Sequence, residues 1–522
     1  MGAVANVSMD SLISQDDLDD VRDSVAALST SVASAAAMLR MEDAFEPFSG
    51  VLLSLQRDPM PTLAGLPAGR GSSSGSPVSS RSVVADSIAR IEAAGELSCA
   101  WLSLDKGESL QRAKALDEEQ ARGRRAGLLQ GVSIGIKDMF DRRGRVARWG
   151  SAARDHVAPA NRDATVVTRL EREGGVLIGA LHMAEFAMSP TGLNDHLGHG
   201  RNPHQPEHVS GGSSSGAGMA VGAGHVPLAI GSDTGGSVRL PAALCGVTGL
   251  KPTQFRVSVF GAMPLSPSLD CIGPLAVSAD LCGAALAAIA GSDQLDLSCV
   301  DLPFRDGIWR GRAPAHFTVA IPRLEVGDHL SAEMLAAVNR VRGVLSEAGV
   351  RFVEVPLPDL VLYGQLGSVL LAAESTALHR DAMNGTPQIF GRQVRRRLSR
   401  GLLMSGIDYF DAQRLRAPLL RAFMREILGG ADVLMLPTTP AGAPRIQDTI
   451  GNDHARLERE FAKLSYWTRG INYLGLPALS LPAGKDEAGL PLGVQFVGAP
   501  FDEERILALG YIAQSLPDWQ KV

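Results

Sequence analysis

The order of apolar and polar positions divides the chain into alternating helical and extended segments. Residues 16–41 place Val21, Val25, Leu28, Val32 and Leu39 at helical spacing, and Asp16, Asp17 and Asp19 load the first turn, where the positive end of a helix dipole favours acids. Helical periodicity returns at Val83–Ala94, Ser109–Arg122, Ala164–Glu173, Ala332–Ala348 and Tyr409–Leu428. Between these lie strand signals. Val132, Ile134 and Ile136 alternate with small residues and lead to Lys137, and Val176–Leu181 forms a second run. Further strands are expected at Leu228–Ile230, Phe317–Ile321, Phe352–Val355, Val433–Leu436 and Gly493–Val497. The first starts behind Pro227, which has no N–H to give a ladder. Strands alternating with helices imply an α/β fold whose sheet is covered on both faces.

One stretch breaks this rhythm. Residues 55–80, LQRDPMPTLAGLPAGRGSSSGSPVSS, are dense in Gly, Pro and Ser and read as a linker. The expected organisation is an N-terminal helical extension and linker over residues 1–79 and one large domain over 80–522. Hydrophobic residues at 45% and charged residues at 20% allow a sizeable core and exclude wholesale disorder. The net charge of −6 recommends neither nucleic acid nor an anionic membrane as main partner. The basic run Arg392–Arg400 reads as a solvated helix face. Five cysteines, with no CxxC pair, suit buried thiols in a reducing compartment better than a disulfide framework or a zinc site. The N-terminus has neither the basic nor the apolar region of a secretory signal, and no apolar run is long enough to span a bilayer. A cytoplasmic location is the expectation.

The segment that carries chemistry is SGGSSSGAGMAVGAGHVPLAIGSDTGGSVRLPAALCGVTGLKPT, residues 210–253. Its two serine–glycine clusters, Gly211–Gly216 and Gly231–Ser237, flank apolar stretches. Glycine backbone at the edge of a core lets main-chain N–H groups approach an anion such as the oxyanion of acyl transfer. Gly212–Gly216 also matches G-x-S-x-G, the elbow of α/β-hydrolases, with Ser214 as nucleophile. That motif needs a strand directly before it, and RNPHQPEHV reads as loop. Gly216-Ala217-Gly218 lacks the rest of a dinucleotide fingerprint.

GGSSSG…IGSDTGGSVRLPAALCGVTGLKPT resembles the signature of the amidase signature family nearly position by position, and GVSIGIKD resembles that family's lysine strand. The likeness extends through RIEAAG, TGLNDHLGHGRNP, SLDCIGPLA and LGVQFVGAPFDEERIL, over roughly residues 80–515. One departure is Ser215, where many members have glycine. The resemblance implies a large mixed β-sheet with helices on both faces and a cofactor-free, metal-free hydrolase of amide C–N bonds. It also implies roles. Ser237 is the acyl-accepting nucleophile, Ser213 the bridging serine on a cis peptide, and Lys137 the base. Backbone N–H groups of Thr234, Gly235, Gly236 and Ser237 form the oxyanion hole, and Ser214, Asp233 and Arg239 support the loop.

These roles are chemically coherent. A serine hydroxyl needs a base before it is nucleophilic, and lysine serves as one only when burial keeps it neutral. The plainer readings are a Lys137–Asp138 surface pair, helix caps at Ser213 and Ser237, and a turn at Asp233. Two branches of the family stay open. A free-standing amidase is the main reading, supported by WTRGINYLGLPALSLPAG and by the absence of an acid near Ser465, where the glutamine-hydrolysing A subunit of tRNA-dependent amidotransferases holds one for the glutamine amine. That A subunit is the alternative, and the 395–397 arginines resemble its basic segment. Phe140, Phe186, Met188, Tyr363, Phe390, Tyr409, Tyr466 and Trp467 favour an uncharged, partly apolar substrate. The expected partner is then a small-molecule amide, with no nucleic acid and no membrane; a homodimer is compatible with the N-terminal extension.

Overall fold

A computed structural model describes residues 13–37, 46–60, 79–124, 126–451 and 453–521. Its centre is an eleven-stranded sheet. The strands are β1 (Trp101–Leu104), β2 (Ser133–Lys137), β3 (Val176–Leu181), β4 (Leu228–Ser232), β5 (Thr248–Lys251) and β6 (Ile272–Ala276), followed by β7 (Thr318–Pro322), β8 (Arg351–Val355), β9 (Val433–Pro437), β10 (Ala478–Lys485) and β11 (Pro491–Val497). Their spatial order is β1-β3-β2-β4-β6-β5-β10-β11-β9-β7-β8. β2 runs parallel to both β3 and β4, and β7 parallel to β8 and β9, while the middle strands pair antiparallel. The sheet is therefore mixed. Both faces are covered: on β4, Leu228 and Ile230 enter one buried cluster, and Ala229 between them enters another.

The strands expected from periodicity are present within a residue or two. Four others escape it. β5, β6 and β10 carry Gly249, Gly273, Pro274 and Pro482, which dilute a strand signal, yet they lie mid-sheet and buried. β1 is short and sits at the sheet edge. The single helix expected at Tyr409–Leu428 is two, Gly406–Arg414 and Arg416–Glu426. Pro418 explains the break, since its ring cannot sit four residues after Arg414 in one helix but suits the first turn of a new one.

The N-terminal helix spans Gln15–Ala36, capped by Ser14, whose hydroxyl accepts from the Asp17 N–H. It packs on the helices Leu360–Gly385, Arg392–Leu403 and Gly406–Arg414, burying Leu18, Val21 and Val32. A short helix, Phe48–Ser54, lies against Arg416–Glu426, where the Arg416 guanidinium stands 3.5 Å over the Phe48 ring. Much of the expected linker, residues 61–78, and the end of the first expected helix lie outside the described residues. Among the described residues no helix is long and apolar enough to cross a membrane.

Candidate active site

β2 and β4 are parallel neighbours, so their C-terminal ends deliver side chains to one place. β2 ends on Lys137 and β4 on Ser232, and the Lys137 Nζ donates to Ser232 Oγ at 2.9 Å and to Ser213 Oγ at 2.7 Å. Lys137 has no solvent exposure. Burial pulls its pKa from 10.5 down to about 7, against the attraction of Asp270 and Asp233. It is therefore no surface partner of Asp138. Ser213 follows a cis peptide bond from Gly212 and is fully buried. The helix Ser215–Gly222 starts two residues later without a side-chain cap, so Ser213 is not its cap. Ser214 is buried too, with its hydroxyl donating to the Ser232 carbonyl at 3.2 Å. No strand precedes it, which removes the elbow reading.

The loop Asp233–Val238 carries Ser237. Its main chain meets the bridging loop where the Ser214 N–H donates to the Ser237 carbonyl at 3.3 Å. The helix Arg239–Leu244 has Val238 at its start and no side-chain cap, so Ser237 is not a cap either. Asp233 organises this loop. Its carboxylate accepts from the N–H groups of Gly236, Val238 and Arg239 at 2.7, 3.1 and 3.3 Å and from the Arg239 guanidinium at 3.1 Å. Burial alone would raise its pKa, but Arg239 holds it at about 2. Arg239 also donates to Gln495 Oε1 at 2.9 Å and to the Thr468 carbonyl at 3.1 Å. Two distant segments thus clamp the loop. Gly236 has φ +128°, and a Cβ there would lie 2.3 Å from Thr468 Oγ1, so only glycine fits.

Gly236 is the exception among the expected oxyanion donors. Its N–H is committed to Asp233, whereas those of Thr234, Gly235 and Ser237 have no protein acceptor among the described residues. Three members of the surroundings carry no plain sequence signal. Ser232 shares the lysine. Asp270, its pKa raised by burial to about 6, accepts from Thr234 Oγ1 at 2.6 Å. Thr468 Oγ1 donates to the Gly235 carbonyl at 2.8 Å. Asp270 lies within SLDCIGPLA and Thr468 within WTRGINYLGLPALSLPAG, and their roles depend on contacts across 36 and 233 residues.

Ser237, Thr234 and Gly235 open into a cavity of about 480 Å³. Its walls correct two expectations. Of the aromatic and apolar residues taken to suggest an uncharged substrate, only Met188 lines it. Phe186 and Phe390 pack edge to face, Trp467 is buried, and Tyr466 stacks on His329 at 3.9 Å: they are core and scaffold. The basic run is no solvated face, because Arg396 is 4% exposed and Arg396, Arg397 and Arg400 line the cavity. The N-terminal helix adds Asp20, Asp23, Ser24 and Leu28 to the rim.

A strand-end lysine bonded to a buried serine thus stands beside a glycine-rich loop, three of whose N–H groups have no acceptor among the described residues, on a mixed α/β sheet. The family model described as "Amidase" matches residues 82–507, and the chain belongs to that family, the amidase signature enzymes. It is 36% identical over 443 residues to the A subunit of the glutamyl-tRNA(Gln) amidotransferase of Neisseria meningitidis serogroup C (strain 053442), covering 80% of this chain and 90% of that one. Among solved structures it is similar to one of a vestigial protein complex tied to the origins of an s-triazine catabolic enzyme, at 32% identity and TM-score 0.77 over 84% of this chain and 95% of that one. It is also similar to the A subunit of the glutamyl-tRNA(Gln) amidotransferase of Thermotoga maritima, at 27% identity and TM-score 0.69 over 84% and 92%. These relatives overturn the expectation of a small-molecule amide and no nucleic acid as partners, since two of them are named as subunits of an enzyme of tRNA. The net charge misled because it reports only a direct electrostatic footprint, whereas these relatives are each named as one subunit of such an enzyme.

Proposed function

We propose that the chain cleaves an amide C–N bond through an acyl-enzyme on Ser237. The Ser237 hydroxyl attacks the amide carbon while its proton passes through Ser213 Oγ to the neutral Lys137 Nζ. The N–H groups of Thr234, Gly235 and Ser237 receive the oxyanion. The C–N bond then breaks as the proton returns by the same path to the leaving nitrogen, which departs as ammonia or an amine. Water attacks the ester by the same route and frees the carboxylate and Ser237. The observation that carries this reading is the 2.7 Å contact between a fully buried lysine and Ser213. A fluorophosphonate probe tests it. Label is expected on Ser237, lost in Ser237→Ala; label on Ser214 instead, or intact activity in Ser237→Ala, would overturn it.

Two finer readings share this chemistry: a free-standing amidase, and a glutamine-hydrolysing A subunit that supplies ammonia within a tRNA-dependent amidotransferase. The names of the curated relatives favour the second. In that case glutamine hydrolysis rises when glutamyl-tRNA(Gln) is added together with the partner subunits; a rate indifferent to both speaks for the free-standing enzyme.

A further inference from the structure

The cavity that reaches Ser237 has a charge pattern the proposed chemistry does not use. Five arginines line it, Arg396, Arg397, Arg400, Arg459 and Arg469, against three acids, Asp20, Asp23 and Glu458. Two of the acids are already engaged. Glu458 bridges Arg397 at 3.2 Å and Arg400 at 3.0 Å, and Asp20 pairs with Arg396 at 3.0 Å. The third, Asp23, is exposed on the N-terminal helix at the rim.

Arg469 is different. It stands one residue after Thr468, which holds the Gly235 carbonyl, and its stem passes 3.8 Å from where a Cβ on Gly235 would be. Its guanidinium donates only to hydroxyls, Ser368 Oγ at 3.1 Å and Ser465 Oγ at 2.7 Å. Among the described residues no carboxylate lies within ion-pair distance of it. Arg397 and Arg400 crowd the same space, and burial pulls the Arg469 pKa down to about 10. The buried Nε–H of Arg400 also has no hydrogen-bond acceptor among the described residues, whereas Arg396 is paired with Asp17 and Asp20. With Glu458 shared between Arg397 and Arg400, Arg469 is left without a carboxylate partner of its own, and a buried cation so placed favours an anion beside it. A guanidinium suits a carboxylate in two-pronged fashion. Conversely, an ammonium group would meet arginines, with Glu458, the one acid inside, and Asp20 at the rim both already paired.

We infer that the substrate is a short amic acid, a molecule with a carboxamide at Ser237 and a carboxylate held by Arg469, and without an ammonium group. This rests on the amide-hydrolase reading above, narrows its substrate class, and of the two finer readings goes against the glutamine-hydrolysing one. The apolar walls between the two ends, Met188, Leu240, Leu265 and Leu371, suit a short methylene chain.

Three amides of equal length isolate the charge: glutaramate, pentanamide, which lacks the carboxylate, and glutamine, which adds an ammonium. Ammonia release from the full chain is expected to be at least tenfold more efficient, as kcat/KM, with glutaramate than with either of the others. Pentanamide or glutamine matching glutaramate overturns the inference and leaves the amide-hydrolase reading standing. Hydrolysis that persists in Ser237→Ala overturns the reading itself. A second measurement needs no turnover. Glutarate at constant ionic strength is expected to slow fluorophosphonate labelling of Ser237, and Arg469→Met to weaken that protection at least tenfold, with Arg400→Met as the independent variant should the first fail to fold. Labelling unaffected by glutarate, or equal protection in wild type and both folded variants, overturns the inference.

Discussion

Lys137 offers the sharpest test of the proposed chemistry. The fall of its pKa from 10.5 to about 7 corresponds to a preference of ~5 kcal/mol for the neutral amine over what water would allow. If the neutral amine takes the Ser237 proton, the competent fraction is about half near pH 7 and falls about tenfold per unit well below it. The assay is the second-order rate of Ser237 labelling by a neutral fluorophosphonate from pH 5 to 9 at fixed ionic strength. The expected curve is sigmoid, rising with pH, with its midpoint close to 7. Lys137→Ala should be flat and about 100-fold slower on the plateau, the scale of losing a general base. Stability must move in step. The unfolded lysine titrates near 10.5 and the folded one near 7, so across that window the unfolded chain binds more protons and stability rises with pH. The penalty of ~5 kcal/mol is fully present below pH 7 and gone above 10.5. Lys137→Met removes it, less ~1 kcal/mol for each of the hydrogen bonds to Ser213 and Ser232. The variant should therefore melt above wild type at pH 6, by a margin that vanishes at about pH 9 and reverses above it. A labelling rate constant between pH 5 and 9, or wild-type labelling in Lys137→Ala, refutes the reasoning.

Further outcomes follow from the same contacts. Asp270→Asn removes a charge that favours the Lys137 cation, so the midpoint of the labelling curve should move below its wild-type value; an upward shift counts against the assignment. Arg239→Met leaves Asp233 buried and unpaired, which should lower stability by ~3–5 kcal/mol in denaturant titration, with part of that recovered by adding Asp233→Asn. Gly236→Ala meets both a φ of +128° and Thr468 Oγ1, and should cut Ser237 labelling at least ~10-fold by displacing the oxyanion loop. Removing residues 1–78 bares the faces against which Leu18, Val21 and Leu52 are buried and opens one rim of the cavity, so a lower melting temperature and weaker protection by ligands are expected.

How much of this was legible in the sequence depends on how local the cause is. Lys137, Ser213 and Ser237 sit in motifs whose glycine and serine spacing is itself the signal, and the alternation Val132-Ile134-Ile136 fixed the strand that ends on the lysine. The brace was half legible: Asp233 and Arg239 lie six residues apart, but Gln495, Thr468 and Asn472 complete it from more than 220 residues away. The pocket was misread for the same reason. Aromatic side chains and a run of arginines look alike in sequence whether they face core, solvent or cavity. Only the crossing of the helices Arg392–Leu403, His454–Leu464 and Tyr466–Tyr473 shows that the arginines turn inward and the aromatics do not. The Gly236 N–H, committed to Asp233, is a correction that no spacing rule could supply, because it turns on which way one peptide points.

The two cationic residue types in this site are not interchangeable, and the difference orders the whole cavity. Behind the cavity, where Lys137 is buried, the proposed chemistry needs a base, and an ammonium on a flexible stem loses its proton when water is removed. An arginine there would stay charged and could accept nothing. At the wall the requirement is reversed. A guanidinium keeps its charge where an amine gives it up, and Arg469, whose pKa burial lowers only to about 10, stays cationic with no carboxylate of the described residues in ion-pair distance. That charge does not reach the lysine: burial alone lowers the Lys137 pKa, and the charges that act on it are Asp270 and Asp233, which pull the other way. Occupation of the wall by a carboxylate therefore leaves the Lys137 pKa where burial puts it. The labelling midpoint should stay put when glutarate occupies part of the sites, and a midpoint that moves under partial protection would show that the two ends of the cavity are coupled.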